Sequence, residues 1–253
     1  MNNIYTIFKK ELLSYIKSPM AYIVAASFFT VTGFFFIASV SDAFSEASIR
    51  GFLAGAVFFL IFLSPALTMR LIAEEQKLGT MELLMTSPLK EHEIVIGKFF
   101  ASLAIVLFML AGTLFYPIIL FIFGVPDLGP IFTGYLGLIL YSCSTLSIGI
   151  FASSLSSNQL VSLVVGSGIL TLLTFIDFVS ERVSGVLGTI LNELQLGGSF
   201  SVFDTSSFGI AEKGHFADFA RGIISIYDIA FYISISIIFL LSTILILETR
   251  RWK

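Results

Sequence analysis

Ser18–Ser41, Gly51–Met69, Phe99–Pro126, Leu128–Ile176 and Ile229–Leu247 contain no Asp, Glu, Lys, Arg or His. A helix needs about 20 predominantly apolar residues to cross a hydrocarbon core of about 30 Å. Four of these stretches suffice for one crossing each, and the 49-residue stretch Leu128–Ile176 suffices for two. In lipid the backbone must satisfy its own polar groups, which apolar segments of this length do as helices. The expected fold class is therefore an all-α integral membrane protein with six spans, at about 19–40, 51–72, 99–123, 131–154, 160–178 and 227–247.

Composition supports this. The chain is 57% hydrophobic and 12% charged, whereas soluble domains carry about 25% charged residues. A net charge of −3 gives no basis for a nucleic-acid partner. The lone Cys143 precludes an internal disulfide and suits a small buried hydrophobe. The first apolar stretch exceeds the roughly 7–15 residues of a cleavable signal core, so it is expected to remain as a span.

Outside the spans lie three segments that matter. In residues 1–18, Ile4, Ile7, Phe8, Leu12, Tyr15 and Ile16 recur at helical steps beside Lys9, Lys10 and Lys17, which predicts a helix lying in the membrane interface. Residues 73–98 form the long loop after span two. Residues 179–228 lie between spans five and six; there Val183, Val186, Leu187, Ile190, Leu191 and Leu194 predict an amphipathic helix, and a second is expected near Phe216–Ile224, both resting on the ends of the spans. The whole of 1–253 reads as one transmembrane domain. Six spans put both termini on one side. That side carries ten of the Lys and Arg residues and the other side four, so both termini are expected in the cytoplasm. Pro117 should kink span three. Two small-residue stripes, Gly51 with Gly55 and Thr145 with Gly149 and Ser153, sit at four-residue spacing and suit close helix packing.

No chemistry of its own is evident. A phosphate-binding loop needs G-x-x-x-x-G-K-[ST], but Gly97-Lys98 is followed by Phe99, and His92 stands where the first glycine belongs. His92-Glu93 meets Ile96 where a zinc motif needs histidine. Both His92 and His215 read as solvated surface residues. Asp177 and Glu248 sit near predicted span ends, where both can reach the interface, whereas an ion path needs ionisable groups deep within the spans. No catalytic, metal or cofactor-binding residue is expected in this chain, and any energy must come from something attached to it.

The loop Ala73–Lys98 offers that attachment. Gly79-Thr80 breaks a helix and supplies a hydroxyl N-cap, Glu82 suits the first turn, and Met81, Leu83, Leu84 and Met85 give a short apolar helix that Ser87-Pro88 ends. Such a helix is expected to expose an apolar patch that docks into a partner.

The pattern Arg70-x-x-Ala73-Glu74-Glu75-x-x-x-Gly79-Thr80-x-Glu82-Leu83-Leu84-x-Thr86-x-Pro88, continuing to Gly97-Lys98, resembles the loop after span two in permease subunits of type-2 ABC exporters. The segments His215–Gly222 and Leu247–Trp252 resemble the gliding-motility-associated and nitrous-oxide-reductase-associated branch, and Phe8–Leu12 with Ser18–Tyr22 is also similar. The resemblance implies that residues 1–18 are an elbow helix. It implies that Gly79, Thr80, Met81, Glu82, Leu83, Leu84, Met85, Thr86 and Pro88 form the segment that couples to a cytosolic ABC ATPase subunit, where ATP and Mg would bind. It further implies two permeases per working unit, identical or related chains, in a prokaryotic inner membrane. A companion protein would supply any extracytoplasmic domain. The apolar spans favour a lipidic or amphipathic cargo. The alternative is a non-transporting anchor for a cytosolic ATPase or an external machine such as a motility apparatus.

Overall fold

The computed structural model describes residues 3–41, 48–81, 84, 89–180, 182, 185–198 and 214–251. The helices among them are α1 (Asn3–Lys17), α2 (Pro19–Val40), α3 (Arg50–Thr68), α4 (Ala73–Lys77), α5 (Glu91–Gly112) and α6 (Phe115–Phe123), followed by α7 (Leu128–Leu155), α8 (Gln159–Thr174), α9 (Asp177–Ser180), α10 (Val186–Glu193), α11 (His215–Arg221) and α12 (Ile226–Arg251). Local chemistry sets several starts. Ser18 Oγ accepts from Met20 N, with Pro19 at the first helical position of α2. Asp127 caps α7 through Gly129 N at 3.1 Å, and Asn158 caps α8 through Leu160 N at 3.0 Å.

Among the described residues, five helical segments are long and apolar enough to cross a membrane: Pro19–Val40, Arg50–Lys77, Glu91–Phe123, Leu128–Leu155 and Ile226–Thr249. The segment expected as a further span at 160–178 differs. There α8 has 16 residues, about 24 Å at 1.5 Å per residue, and ends at Phe175 before the single-turn α9. The crossing made by α5 and α6 breaks at Thr113–Leu114, one turn before Pro117. Proline has no N–H to offer the carbonyl four residues back; Thr113 O instead accepts from Tyr116 N at 3.0 Å and from the Tyr135 hydroxyl at 3.0 Å.

Side-chain contacts give the helix directions. Gly51 of α3 faces Ser39 of α2 and Gly55 faces Phe35, so these two helices are antiparallel. Leu53 meets Gly134, Ser64 Oγ lies 2.8 Å from Thr145 Oγ1, and Thr68 abuts Gly149, so α3 and α7 run parallel. Tyr141 beside Tyr232 and Phe151 beside Phe239 make α7 and α12 parallel as well. The segment from α8 to α11 therefore returns the chain to the end where α7 began. The end bearing α1, α4 and the start of α5 is called here the loop end, and the opposite one the far end.

The core between these helices is apolar, with Phe28, Phe52, Leu60, Leu138 and Ile148 fully buried, yet it is threaded with hydroxyls. Ser142 donates to Leu138 O at 2.6 Å, and Ser144 crosses to Tyr232 O at 2.9 Å. Such groups satisfy themselves on backbone carbonyls while letting helices approach.

At the far end, Phe216 and Phe219 of α11 are buried against Gly137 of α7. Gly222, at φ +93°, ends α11 in a Schellman arrangement: Ile223 N donates to Asp218 O and Gly222 N to Phe219 O. The helix expected over 183–194 is α10, but its Val186 and Leu187 are exposed rather than laid on the bundle. Eight residues give too narrow a contact to cover both the bundle and this face.

Candidate coupling site at the loop end

Helix α3 stops at Thr68, and residues 69–72 turn the chain into α4. The turn and the start of α4 leave backbone groups that need partners. Ser153 of α7 meets three of them: its hydroxyl accepts from Ile72 N at 3.2 Å and Ala73 N at 3.1 Å, and donates to Met69 O at 3.2 Å. Gln76 Nε2 adds a bond to Ser154 O at 3.3 Å. The stripe Thr145, Gly149, Ser153 is thus taken up inside the chain, against Ser64, Thr68 and this turn, as Gly51 and Gly55 are against α2.

Beneath α4 lies a buried ionic cluster. Lys98, on the second turn of α5, is only 1% exposed. Its Nζ donates to Leu71 O at 2.6 Å and to Glu11 Oε1 of α1 at 3.1 Å, and pairs with Glu75 Oε2 of α4 at 2.9 Å. Leu71 O and Glu11 thus take its hydrogen bonds, and Glu75 adds an ion-pair contact from a third element. Lys10 closes the outer side, 3.4 Å from Glu75 Oε1 and 3.5 Å from Glu11 Oε1. Partial burial draws the Lys10 ammonium down, but the Glu11 and Glu75 carboxylates outweigh it and hold its pKa above the usual 10.5. Tyr15 of α1 donates to Leu67 O at 2.7 Å; its burial, reinforced by the Glu11 charge, pushes the phenol well above its usual 10.

Helix α1 is held along its length. Ile7 packs where a Cβ on Gly97 would stand 2.8 Å from it, and Asn3 Nδ2 donates to both Glu93 oxygens at 3.2 and 3.1 Å. Between α1, the end of α3 and α4 opens a cavity of about 380 Å³, walled by Glu11, Tyr15, Arg70, Glu75, Thr80 and Leu84 among others.

The tip beyond α4 departs from expectation. Gly79, at φ +71°, ends α4 in a conformation that disfavours side chains. The Thr80 hydroxyl donates back to Glu75 O at 3.3 Å rather than capping forward, because the last carbonyls of α4 have no helical partner. Leu78 is 66% exposed, and Lys77, Gly79 and Thr80 are exposed with it. Met81, expected in an exposed apolar patch, is 4% exposed and joins the core; Leu84 packs against that core, half-buried. An apolar side chain this near the bundle finds its cheapest burial there. Glu82, Leu83, Met85, Thr86 and Pro88 lie outside the described residues.

His92 is exposed, but the reading of His215 as a solvated residue is overturned. It is 7% exposed and Asp228 5%. His215 Nδ1 lies 2.6 Å from Asp228 Oδ1, Nε2 lies 3.1 Å from Glu193 O, and the ring stacks on Phe231 at 3.7 Å. Tyr227 hydrogen-bonds the Glu193 carboxylate beside it. The helical pattern beside position 215 does not reveal which polar groups it meets, so only the folding of α11 onto α12 and toward Glu193 brings these groups together. The Lys98 cluster also escaped the sequence reading. Its one signal was Lys98, which directly abuts the charge-free run beginning at Phe99. Among the described residues no three His, Cys, Asp or Glu side chains group as a metal site.

A bundle of several helices long and apolar enough to cross a membrane is that of a multi-pass integral membrane protein. A family model described as ABC-2 type transporter matches residues 2–177, and the chain belongs to that family. It is the permease component of an ABC transporter, which works with an ATP-binding subunit and typically pairs with a second permease. No curated protein matches the chain.

Proposed function

We propose that this permease couples ATP hydrolysis by a separate cytosolic subunit to export, with the loop end cytoplasmic and the exposed tip Lys77–Thr80, together with the residues that follow it to Pro88, as the contact. The observation that carries the reading is the tip itself. It projects Leu78 into solvent on a helix anchored to α1, α5 and α7. A solvent-facing head, Lys77–Thr80, on a helix tied to three other elements suits a surface that a partner grips and pushes.

In this reading α1 is the elbow helix, α8 and α9 complete a sixth crossing, and both termini face the cytoplasm of a prokaryotic cell. The excess of Lys and Arg at the loop end supports that orientation. ATP and Mg belong to the partner, and this chain holds no cofactor. The branch is that of gliding-motility-associated and nitrous-oxide-reductase-associated permeases, with a companion protein for any extracytoplasmic domain. The cargo is lipidic or amphipathic, in keeping with exposed faces as apolar as Ile233, Ile237, Ile238 and Leu241 on α12.

The test is co-purification from membranes in mild detergent. Leu78→Asp with Thr80→Lys should lose the ATPase subunit while the permease still inserts and pairs. Undiminished recovery of the ATPase with that variant would refute the assignment of the tip.

A further inference from the structure

Motion delivered to the tip has two routes into the bundle. One runs from Ser153 and Ser154 of α7 to the α3–α4 turn and Gln76, entirely through neutral hydrogen bonds. The other runs from Glu75 to Lys98 and reaches two further helices at once. Helix α4 is five residues long, about one and a half turns, so a push on Leu78–Thr80 arrives at Glu75 with little slack.

We propose that Lys98 is the positioning residue that carries this movement into the membrane. Its ammonium locks the α3–α4 turn, α4, α1 and α5 into one unit, so that the ATPase moves α5 and the elbow helix together. Three features support this. The contacts come from three separate elements, through Leu71 O, Glu75 and Glu11. The group is buried and charged, so losing alignment with any acceptor leaves an uncompensated charge, which makes the arrangement two-state rather than compliant. Phe99 next to it begins the charge-free stretch of α5, so a displacement of Lys98 is passed directly to the crossing that α5 and α6 form. A stabilising role alone accounts poorly for the choice, since well-packed apolar residues commonly replace buried ion pairs without loss of stability.

This inference rests on the coupling reading above, and the experiment separates the two. The complex of permease and ATPase is placed in lipid nanodiscs with Cys143→Ala and an environment-sensitive fluorophore at Val125→Cys, a position at the far end that is almost wholly exposed. In this parent, ATP with vanadate should change the fluorescence. The triple variant Glu11→Gln, Glu75→Gln, Lys98→Met removes the ion pairs without stranding a charge, and should still fold, recover the ATPase and hydrolyse ATP. It should lose the far-end response. Lys98→Arg, which keeps charge and donors, should restore part of it.

A full-amplitude response in the triple variant overturns the proposal. So does loss of ATPase recovery in that variant, which would make the cluster part of the docking surface instead. A parent that recovers no ATPase sinks the coupling reading itself.

Discussion

At the scale of single residues, the packing of α3 on α7 turns on Gly149, where a Cβ would sit 2.2 Å from Thr68 Oγ1. That hydroxyl is tied to Ser64 O at 2.9 Å and cannot swing aside freely. Gly149→Ala should therefore destabilise by about 1–3 kcal/mol, the usual cost of overpacking. Gly168→Ala, with nothing within 4 Å, should be neutral or slightly stabilising, by up to about 1 kcal/mol. Thermal unfolding in detergent compares them. His215→Ala removes a ring that bonds Asp228 and Glu193 O and stacks on Phe231. Leaving a buried carboxylate unmatched should cost about 1–3 kcal/mol and raise hydrogen exchange in α11. A sequence reading saw the glycine spacing but had no means of seeing the histidine's partners, since apolar periodicity says nothing about which polar groups meet.

Among the elements, α1 illustrates how a weak helix is held. Its amphipathic repeat was legible, and its apolar positions do reach the bundle through Ile7. Its polar positions hold it as well, through Glu11, Tyr15 and Asn3. Both Lys10 and Tyr15 have folded-state pKa values raised above their usual 10.5 and 10. A group raised on folding stabilises fully below its unfolded value, and that contribution is lost as pH climbs through the folded one. Attachment of α1 should thus persist through neutral pH and weaken only above about pH 10, seen as rising hydrogen exchange over residues 3–17 after correction for intrinsic rates. Tyr15→Phe should loosen α1 at neutral pH by about 1 kcal/mol, one hydrogen bond's worth. The α5–α6 break shows the converse: Pro117 predicted a kink, but at Thr113 the carbonyl that the ring cannot serve is taken by Tyr116 N and the Tyr135 hydroxyl.

Across the whole molecule, burial is uneven. Helix α3 and α7 bury most of their length, whereas α2 and α12 present wide apolar faces, including Ile23, Phe34 and Ile37 on the first and Ile238, Leu241 and Leu245 on the second. A lysine at the centre of such a face costs about 2.5–3.5 kcal/mol on insertion scales. Leu241→Lys should accordingly lower the fraction of chain recovered in membranes, while Leu78→Asp at the tip should not. Recovery of both at wild-type levels would place the α12 face against something other than lipid or a second apolar chain.

Charge-free runs of sufficient length determined, without any coordinates, that these segments are helices in a membrane, because a backbone in hydrocarbon has no other way to pair its N–H and C=O groups. Periodicity likewise disclosed α1, and proline, glycine and the capping residues marked the breaks. Tertiary packing alone decided that Met81 turns inward, and that Glu11, Glu75 and Lys98 converge from positions as far apart as 87 residues. Those outcomes depend on which surfaces compete for burial and which charges must leave water together. Such energies exist only between elements already in contact.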